Sequence, residues 1–417
     1  MTTTARRIFI TGATGGLGRR LVVDRLARGD SMVVLSRRPD EARRLFAAVA
    51  NPRIEVVEGD PGVPGRWQRL VGACDAVVHL AGEPIAARRW NAEVRETIRR
   101  SRVEGTYQLA FAVRTAAKPP AVLISASGIG ILPRGRAGPL DETAPPGREF
   151  LARVALAWER EAMRARSAST RVVALRIPIV LDAESGFLRE IAPWWRRGLD
   201  PTPWSARDRV PWIHWRDVLR VVDRALGDDR LEGPVHAVAP DSSEAIAWRQ
   251  AMVAAVCRGA VRIPVIASRL AAGAVIDAMR GSCDARPAKL EAIGFEWKQP
   301  DLASAIAQEL RPRNEPAQTS VSRVVLPPAP IAAPRPRSTG SEQAPDSAPS
   351  SGTDGLGRPA TTPQTPAIAE APAAAVPGGL PSSRPAPRPE TSGPPVESGP
   401  AADVDPARSS PPPTVRT

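Results

Sequence analysis

The sequence of 417 residues contains only three cysteines, and their placement excludes several kinds of site. Cys74, Cys257 and Cys283 lie far apart and form no CxxC pair, which argues against a disulfide framework and a zinc site. Few, scattered cysteines are typical of proteins in a reducing compartment. We therefore predict a cytoplasmic protein without a metal site.

Long apolar runs are also lacking. No uninterrupted apolar segment approaches the length that spans a membrane. The N-terminal segment MTTTARRIFITG enters a strand-like pattern directly and has no signal-peptide pattern. We therefore expect a soluble protein that has no membrane partner.

Lysine is scarce, although the formal net charge of the chain is +13. Lys118, Lys289 and Lys298 are the only lysines among the 57 basic residues, so nearly all of the positive charge is carried by arginine. The arginines are spread along the chain and form no dense basic run, so we expect no nucleic-acid partner. Local arginines serve an anionic small ligand equally well.

Aromatic residues are absent beyond Trp297, and residues 311–417 hold 25 of the 46 prolines. A segment rich in Pro, Ala, Ser and Gly without aromatic side chains cannot bury enough apolar area to offset its ordering entropy. We predict that residues 311–417 form a disordered tail. Its Pro-Arg segments, APRPRS and RPAPRPE, are either solvated spacers or polyproline ligands.

Short β-branched runs alternate with longer helical patterns in the first part of the chain. Strands are predicted at residues 6–11, 31–36, 53–59, 75–82, 121–127 and 171–177. Helices are predicted at residues 16–28, 40–50, 66–72, 92–117 and 150–167. Strands that are apolar on both faces and are followed by helices indicate an α/β fold with a doubly wound parallel sheet. Ligands of such sheets bind at the carboxyl ends of the strands.

The pattern loosens after about residue 180. Five tryptophans fall between residues 193 and 215, where they form either an aromatic wall for a ligand or the core of a small lobe. A strand-like segment follows at 233–240, then helices near 243–257 and 266–280. We predict a Rossmann domain over residues 5–240, with substrate-side insertions from about 180, and a small C-terminal domain over residues 241–310.

The segment TGATGGLG joins the first strand to the first helix, and its glycines are spaced GxxGxxG. Gly12 permits a tight turn, Gly15 lets the backbone approach a pyrophosphate, and Gly18 lets the helix pack closely on the strand. The helix N-terminus adds free N–H groups and a positive dipole. We therefore predict a dinucleotide site whose contacts also include Thr11, Thr14, Gly16 and Leu17.

The end of the second strand distinguishes the two nicotinamide cofactors. An NAD site usually carries an acidic residue there, whereas this chain has Ser36, Arg37 and Arg38. Arginine can pair with a 2′-phosphate through two hydrogen bonds, so NADP is favoured and NAD remains possible. The alternative is two solvated arginines on a loop. Asp60, which ends the third strand, is placed to accept from an adenine amino group.

Further cofactor contacts are predicted at the ends of the next strands. Leu80, Ala81 and Gly82 end the fourth strand beside the expected cofactor. Ser125 in the fifth strand and Arg176 in the sixth complete the predicted set.

Several segments, spread over roughly residues 6–310, occur in a distinctive order. They include TGATGGLG, HLAGEPI, RRSRVEGT, LISAS, PWIHWRDV, GPVHAVAP and RPAKLEAIGFEWKQP. In these segments the chain resembles the atypical extended short-chain dehydrogenase/reductases that are labelled epimerase-like. The resemblance implies a Rossmann core with a short family-specific C-terminal domain, NADP as the favoured cofactor, and a small-molecule substrate. The tail lies outside it.

The usual short-chain dehydrogenase site uses a serine, a tyrosine and a lysine, and only the serine has a match here. Ser127 stands at the position of the serine that orients the substrate oxygen. Val154 and Trp158 stand where the tyrosine and lysine are expected, and the single tyrosine of the chain, Tyr107, lies elsewhere. The stretch GIGILPRG also replaces the Gly-Tyr-Tyr-Gly common among the epimerase-like relatives.

Other residues are candidates for moving a proton. Glu83 follows the fourth strand and is either an acid near the nicotinamide or a capping residue. His214, with Trp212 in the segment WIHW, either contacts substrate or packs as a structural histidine between aromatic residues. His79 is expected in the core, and Glu142 is a weaker candidate.

These observations support one hypothesis and an alternative. The first is an NADP-binding, epimerase-like oxidoreductase that transfers hydride on an unidentified carbonyl or sugar-like small molecule. The alternative is a catalytically weak or inactive NADP-binding protein with a regulatory or interaction role. The sequence leaves the oligomeric state open.

Overall fold

The computed structural model describes residues 5–311 except 48, 50, 51, 87, 137, 267, 269–275, 277 and 278. The predicted tail beyond residue 311 and most of the helix predicted near 266–280 lie outside the described residues.

Within the described part, short strands alternate with helices along the first half of the chain. The strands are β1 (Arg7–Thr11), β2 (Ser31–Ser36), β3 (Ile54–Glu58), β4 (Ala76–His79), β5 (Val122–Gly128), β6 (Arg171–Ile177), β7 (Ile179–Leu181), β8 (Leu199–Asp200), β9 (Arg209–Val210), β10 (Trp212–His214), β11 (Gly233–His236), β12 (Ser243–Glu244) and β13 (Val261–Arg262). The helices are α1 (Gly16–Ala27), α2 (Pro39–Ala47), α3 (Gln68–Val71), α4 (Ala92–Thr115), α5 (Phe150–Met163), α6 (Gly186–Arg196), α7 (Trp215–Gly227), α8 (Ala245–Val256), α9 (Ala288–Ala292) and α10 (Leu302–Leu310).

Seven parallel strands form the main sheet, in the order β11-β6-β5-β4-β1-β2-β3. The predicted doubly wound α/β fold is confirmed. The six strands expected in the first 180 residues are all present, and the segment predicted at 233–240 supplies β11 as the seventh strand.

Both faces of the sheet are covered because side chains alternate along each strand. On β1, Ile8 and Ile10 join the core beneath α1 and α7. Phe9 points to the opposite face, where its ring stacks on Trp67 with a centroid separation of 5.9 Å. Strands buried on both faces read as continuous apolar runs, which is why the sequence pattern located them.

The chain reverses its direction of winding next to β1, which lies between β2 and β4. Thr11 at the end of β1 pairs in register with His79 at the end of β4. The connections that leave these two strands run to opposite faces of the sheet, so a crevice opens between them. This crevice is the expected ligand site of the fold.

A second core joins elements from both sides of residue 240. Helices α6, α8 and α10 pack around buried Trp195, Trp204, Trp212 and Trp248. The segment after residue 180 and the predicted C-terminal domain therefore share one core. No helix in the described part of the chain is both long and apolar enough to cross a bilayer.

Candidate functional site

The turn between β1 and α1 is closed so tightly that two of its positions admit only glycine. Gly12 has φ +74°, and a Cβ atom there would lie 2.7 Å from the main-chain nitrogen of Ala81. A Cβ atom on Gly18 would overlap the carbonyl oxygen of Gly12. The N–H of Gly15 donates to that same oxygen at 3.1 Å, and α1 begins at Gly16. Gly12 and Gly18 therefore form the tight turn and the close helix packing that the sequence predicts, and the first N–H groups of α1 follow directly after the turn.

A buried histidine fastens this turn to β4 and α4. The main-chain N–H of Ala81 donates to Thr11 Oγ1, which lies 2.6 Å from His79 Nδ1. On the other side of the ring, His79 Nε2 lies 3.0 Å from Thr106 Oγ1, and that hydroxyl donates to the carbonyl oxygen of Arg102. Because the Thr106 proton is already used, the histidine proton resides on Nε2 and Thr11 donates to Nδ1. His79 is a core residue, as expected.

We expect acid to destabilise the protein through His79 and His236. Burial lowers the pKa of each to about 4, and nearby arginine charges add to this. An unfolded histidine titrates near pH 6.5, so between pH 6.5 and pH 4 the unfolded chain binds more protons and stability falls with acidification. Each histidine should cost about 2 kcal/mol of unfolding free energy between pH 7 and pH 5. Urea titrations at the two pH values measure this difference.

The variant His79→Gln isolates one of the two contributions. It should lose about half of the histidine contribution to the pH dependence, because of the two histidines with lowered pKa only His236 remains. The raised pKa of Glu142, caused by burial, acts in the opposite direction in both proteins and cancels in the comparison. The same pH dependence in the wild-type protein and in His79→Gln would contradict the argument.

The carboxyl end of β2 presents one arginine that is free to bind a ligand. Ser36 is buried, and its Oγ accepts a hydrogen bond from the main-chain nitrogen of Arg38. The Arg38 guanidinium pairs with Glu41 at 3.2 Å. The Arg37 side chain is exposed and has no ion-pair partner among the described residues. Asp60, the predicted adenine contact, accepts from the N–H of Gly62 and so closes its own turn.

The loop after β7 covers the start of α1. A Cβ atom on Gly16 would overlap the side chain of Ser185, so the two backbones approach closely. Arg20, one turn along α1, donates to both carboxylate oxygens of Asp182 at 3.0 and 2.8 Å. Its guanidinium also lies 4.0 Å from the ring centroid of Trp215. The loop after β7 therefore contacts the start of α1, in addition to the contacts that the glycine turn makes with the residues following β4.

Ser127 lies in a buried polar cluster that the sequence did not predict. Its hydroxyl donates to Glu159 Oε1 at 2.7 Å. Arg176 donates to both oxygens of the same carboxylate, at 2.8 and 2.9 Å. Its remaining nitrogen faces the carbonyl oxygen of Glu142 and the ring of His236. The sequence predicted that Arg176 contacts the cofactor, but in the structure its hydrogen bonds go to protein groups. Ser125, another predicted cofactor contact, is buried in β5.

The two residues that the sequence analysis places at the tyrosine and lysine positions are buried. Val154 and Trp158 are 4% and 6% exposed. Glu83, the proposed acid, is partly exposed; its carboxylate lies 3.3 Å from Arg88, and its main-chain N–H donates to Ser101 Oγ. Leu80 and Ala81 contact Gly12, and Gly82 follows them at the end of β4.

Trp212 and His214 lie inside the second core. Trp212 is 1% exposed and donates to Ser243, and His214 is fully buried. His214 Nδ1 accepts from the N–H of Arg216, so its Nε2 proton is directed to Glu309 at 3.0 Å. Both are core residues, where the sequence predicted substrate contacts as one alternative. Of the five clustered tryptophans, Trp194 is exposed, Trp215 is partly buried and the other three are buried.

A family model described as the NAD dependent epimerase/dehydratase family matches residues 8–238, which is more than half of the chain. The chain belongs to this family. An Epimerase family protein SDR39U1 from Homo sapiens is 29% identical over 314 residues, covering 72% of this chain and 99% of the relative. A chloroplastic homologue from Arabidopsis thaliana is 28% identical over 302 residues, covering 72% and 85%. The resemblance to atypical, epimerase-like short-chain dehydrogenase/reductases is confirmed.

Solved structures give the same assignment. The crystal structure of human SDR39U1 with NADPH matches with a TM-score of 0.62 and 26% identity, covering 73% of this chain and 99% of that chain. A nucleoside-diphosphate sugar epimerase from Corynebacterium glutamicum matches with a TM-score of 0.58 and 27% identity, covering 74% and 58%. MoeE5 in complex with UDP-glucose and NAD, at 19% identity and a TM-score of 0.57, shows the fold alone.

Proposed function

We propose that this family member binds NADP(H) and transfers hydride at a carbonyl or carbinol carbon of a small, sugar-like molecule. The observation that carries the proposal is the glycine turn at the switch point, with the exposed Arg37 at the end of the neighbouring β2. The NADPH in the related human structure supports the choice of cofactor. NAD remains a second possibility, since other proteins of this fold bind it.

The residues present fit such a dinucleotide. Gly12 and Gly18 leave no room for a side chain, which lets the turn pack tightly and brings the start of α1 close to β1. The first N–H groups of α1 supply donors and positive dipole. Arg37 supplies a guanidinium for a 2′-phosphate, and a nicotinamide supplies or accepts hydride when it is bound.

For the hydride-transfer reaction, we propose that Ser127 orients the substrate oxygen. Because its own proton is directed to Glu159, the lone pairs of Ser127 are left to accept from a substrate hydroxyl. Arg176 holds the Glu159 carboxylate by two hydrogen bonds, which keeps the acceptor of the Ser127 hydroxyl in place. Glu83 is the candidate for proton transfer, since its carboxylate lies near the end of β4 and is partly exposed.

One observation favours the alternative, a cofactor-binding protein without turnover. Val154 and Trp158 fill the tyrosine and lysine positions with side chains that cannot exchange a proton. The glycine turn serves both functions equally, because binding requires only the phosphate cradle. In either case we propose a cytoplasmic protein whose partner is a small molecule and not a nucleic acid. Cys74, Cys257 and Cys283 are free thiols, in agreement with a reducing compartment.

The experiment combines binding with turnover. The full chain is titrated with NADPH and NADH by tryptophan fluorescence and then assayed for NADPH oxidation with aldehydes, ketones and nucleotide sugars. Oxidation with at least one class supports the enzyme, and NADPH binding without oxidation supports the alternative. An absence of binding to either dinucleotide contradicts both.

The variant Arg37→Asp tests the choice of cofactor in the same titration. Losing the guanidinium and adding a negative charge should weaken NADPH binding by about 10- to 100-fold and leave NADH binding within about threefold. Arg43→Asp on α2 makes the same charge change at an exposed site that pairs with Asp40, and should change neither affinity. Equal losses for NADPH and NADH in Arg37→Asp would contradict the role of Arg37.

A further inference from the structure

Arg102 on α4 is a largely enclosed guanidinium that has no matching carboxylate. No carboxylate oxygen in the described part of the chain lies within 4.0 Å of it, and the nearby Glu83 carboxylate is already paired with Arg88. Burial lowers the pKa of Arg102 to about 10, so the side chain still carries its charge at neutral pH. A partly buried cation that no carboxylate contacts directly is costly, and such groups are found preferentially at functional sites.

The guanidinium is fixed in place by main-chain contacts. Its Nη1 donates to the carbonyl oxygens of Glu83 and Ile98, at 2.9 and 3.3 Å. One face lies against Gly82, where a Cβ atom would approach the guanidinium carbon at 3.3 Å. The group also lies 5.2 Å from the ring centroid of Trp158. These contacts anchor one end of the guanidinium.

The opposite edge of the same guanidinium is free. Nε and Nη2 of Arg102 have no hydrogen-bond partner among the described residues. Neither nitrogen is among the described polar atoms that are both unpaired and sealed from solvent, so both keep some exposure to solvent. Nε and Nη2 together form the parallel pair of donors that binds a carboxylate or phosphate through two hydrogen bonds.

Arg102 is also placed where a substrate is expected. Gly82, which lies against Arg102, follows Leu80 and Ala81, whose main chains lie against Gly12 in the glycine turn. Trp158, also near Arg102, stands where the sequence analysis expects the lysine. An anion held by Arg102 would therefore lie close to the carboxyl end of β4, where ligands of this fold bind.

We propose that Arg102 binds an anionic group of the substrate, a carboxylate or a phosphate, through its Nε and Nη2 atoms. This inference rests on the proposed function, because it names the substrate class of the same site. The proposal restricts the substrate class from sugar-like or carbonyl molecules in general to those that carry a carboxylate or a phosphate. A side chain at position 82 would press on this guanidinium and make it shift by a few tenths of an ångström.

The test uses probes that differ in charge but little in shape. Benzoate and benzamide form a matched pair, and phenyl phosphate supplies the phosphate group. Dissociation constants are measured on the full chain by ligand-observed saturation-transfer NMR, without cofactor and with NADPH present. Benzoate or phenyl phosphate should bind at least about tenfold more tightly than benzamide, since hydrogen bonds to charged groups are the stronger ones. Which of the two binds more tightly distinguishes a carboxylate from a phosphate substrate.

Arg102→Gln should remove the preference for the anions. Arg99→Gln, an exposed α4 arginine that pairs with Glu96, should retain it and serves as the matched control. Arg102→Lys keeps the positive charge but lacks the parallel pair of donors, so its preference for the anions should be at least about threefold weaker than that of the wild-type protein. This variant tests the proposal if Arg102→Gln does not fold. Equal binding of benzoate, phenyl phosphate and benzamide to the wild-type protein, or full preference in both Arg102 variants, would overturn the proposal.

The same measurements separate this inference from the proposed function. NADPH binding should be unchanged in Arg102→Gln; a loss of NADPH affinity with unchanged anion preference would assign the arginine to the cofactor and overturn the proposal. If the wild-type protein binds no dinucleotide but prefers the anions, the proposed function fails and the anion site stands.

Discussion

Replacing Glu159 with leucine should lower the free energy of unfolding by about 3–5 kcal/mol. The substitution leaves the buried Arg176 guanidinium without the carboxylate that accepts two of its hydrogen bonds. It also removes the acceptor of the Ser127 hydroxyl. Both side chains of the ion pair are less than a tenth exposed, so water cannot replace the lost partner. Urea unfolding at pH 7 measures the loss.

Two further variants test whether the uncompensated charge is the cause. The double variant Glu159→Leu/Arg176→Met should recover most of the lost stability, because an apolar pair of similar volume replaces the buried ions. Asp40→Ala, which breaks an exposed ion pair with Arg43, should change stability by less than about 0.5 kcal/mol. A double variant less stable than Glu159→Leu would show that the network stabilises the fold by more than charge compensation.

The second large effect is expected from Gly12→Ala, which should weaken NADPH binding by at least about 100-fold. The added methyl group would lie 2.7 Å from the main-chain nitrogen of Ala81, just after β4, and the backbone has φ +74° at Gly12. The turn must therefore move, and a displacement of about 1 Å in a binding geometry costs effects of this order. Calorimetric titration of the variant with NADPH measures the change.

A matched glycine separates backbone strain from the close contact. Gly138 has φ +81°, but a Cβ atom there meets nothing within 4 Å. Gly138→Ala should therefore cost about 1–2 kcal/mol of stability and leave NADPH affinity unchanged. Unchanged NADPH affinity in Gly12→Ala would contradict the proposed diphosphate cradle.

The sheet could be predicted because its physical cause is local in the sequence. A parallel strand covered on both faces needs a continuous apolar run, as in segments 31–36 and 171–177, and each coincides with an observed strand. The glycine turn was equally accessible, since Gly12 and Gly18 are required by close contacts over a few residues and to the adjacent strand. Helix ends were less exact: the helix predicted at 150–167 ends at Met163.

The buried polar cluster around Ser127 could not be predicted from local sequence patterns. Glu159 and Arg176 are 17 positions apart, and His236 is 60 positions from Arg176. Such pairs become visible only when strands and helices are placed in space. One signal was available: Glu159 follows Trp158 on the helix where the missing lysine was sought. Arg102 lies in RRSRVEGT, one of the segments of the family resemblance, but composition alone cannot distinguish it from the other arginines of α4.

The clustered tryptophans show a related limit. Their spacing is compatible with an aromatic wall and with a small core. The burial of Trp195, Trp204 and Trp212 shows that these three form part of the second core. His214 was ambiguous for the same reason until its partner, Glu309, was located on α10. Although burial alone would raise the pKa of Glu309, hydrogen bonds from His214, the N–H of Ala183 and Trp215 lower it to about 2.

The ring of Trp215 lies between the guanidinium of Arg20 and the carboxylate of Glu309. Glu309 on α10, the last helix of the described part, therefore contacts the same side chain that packs on α1, the first helix. These contacts cannot form before α10 has been synthesised, so the surroundings of α1 are complete only after about 300 residues have been made.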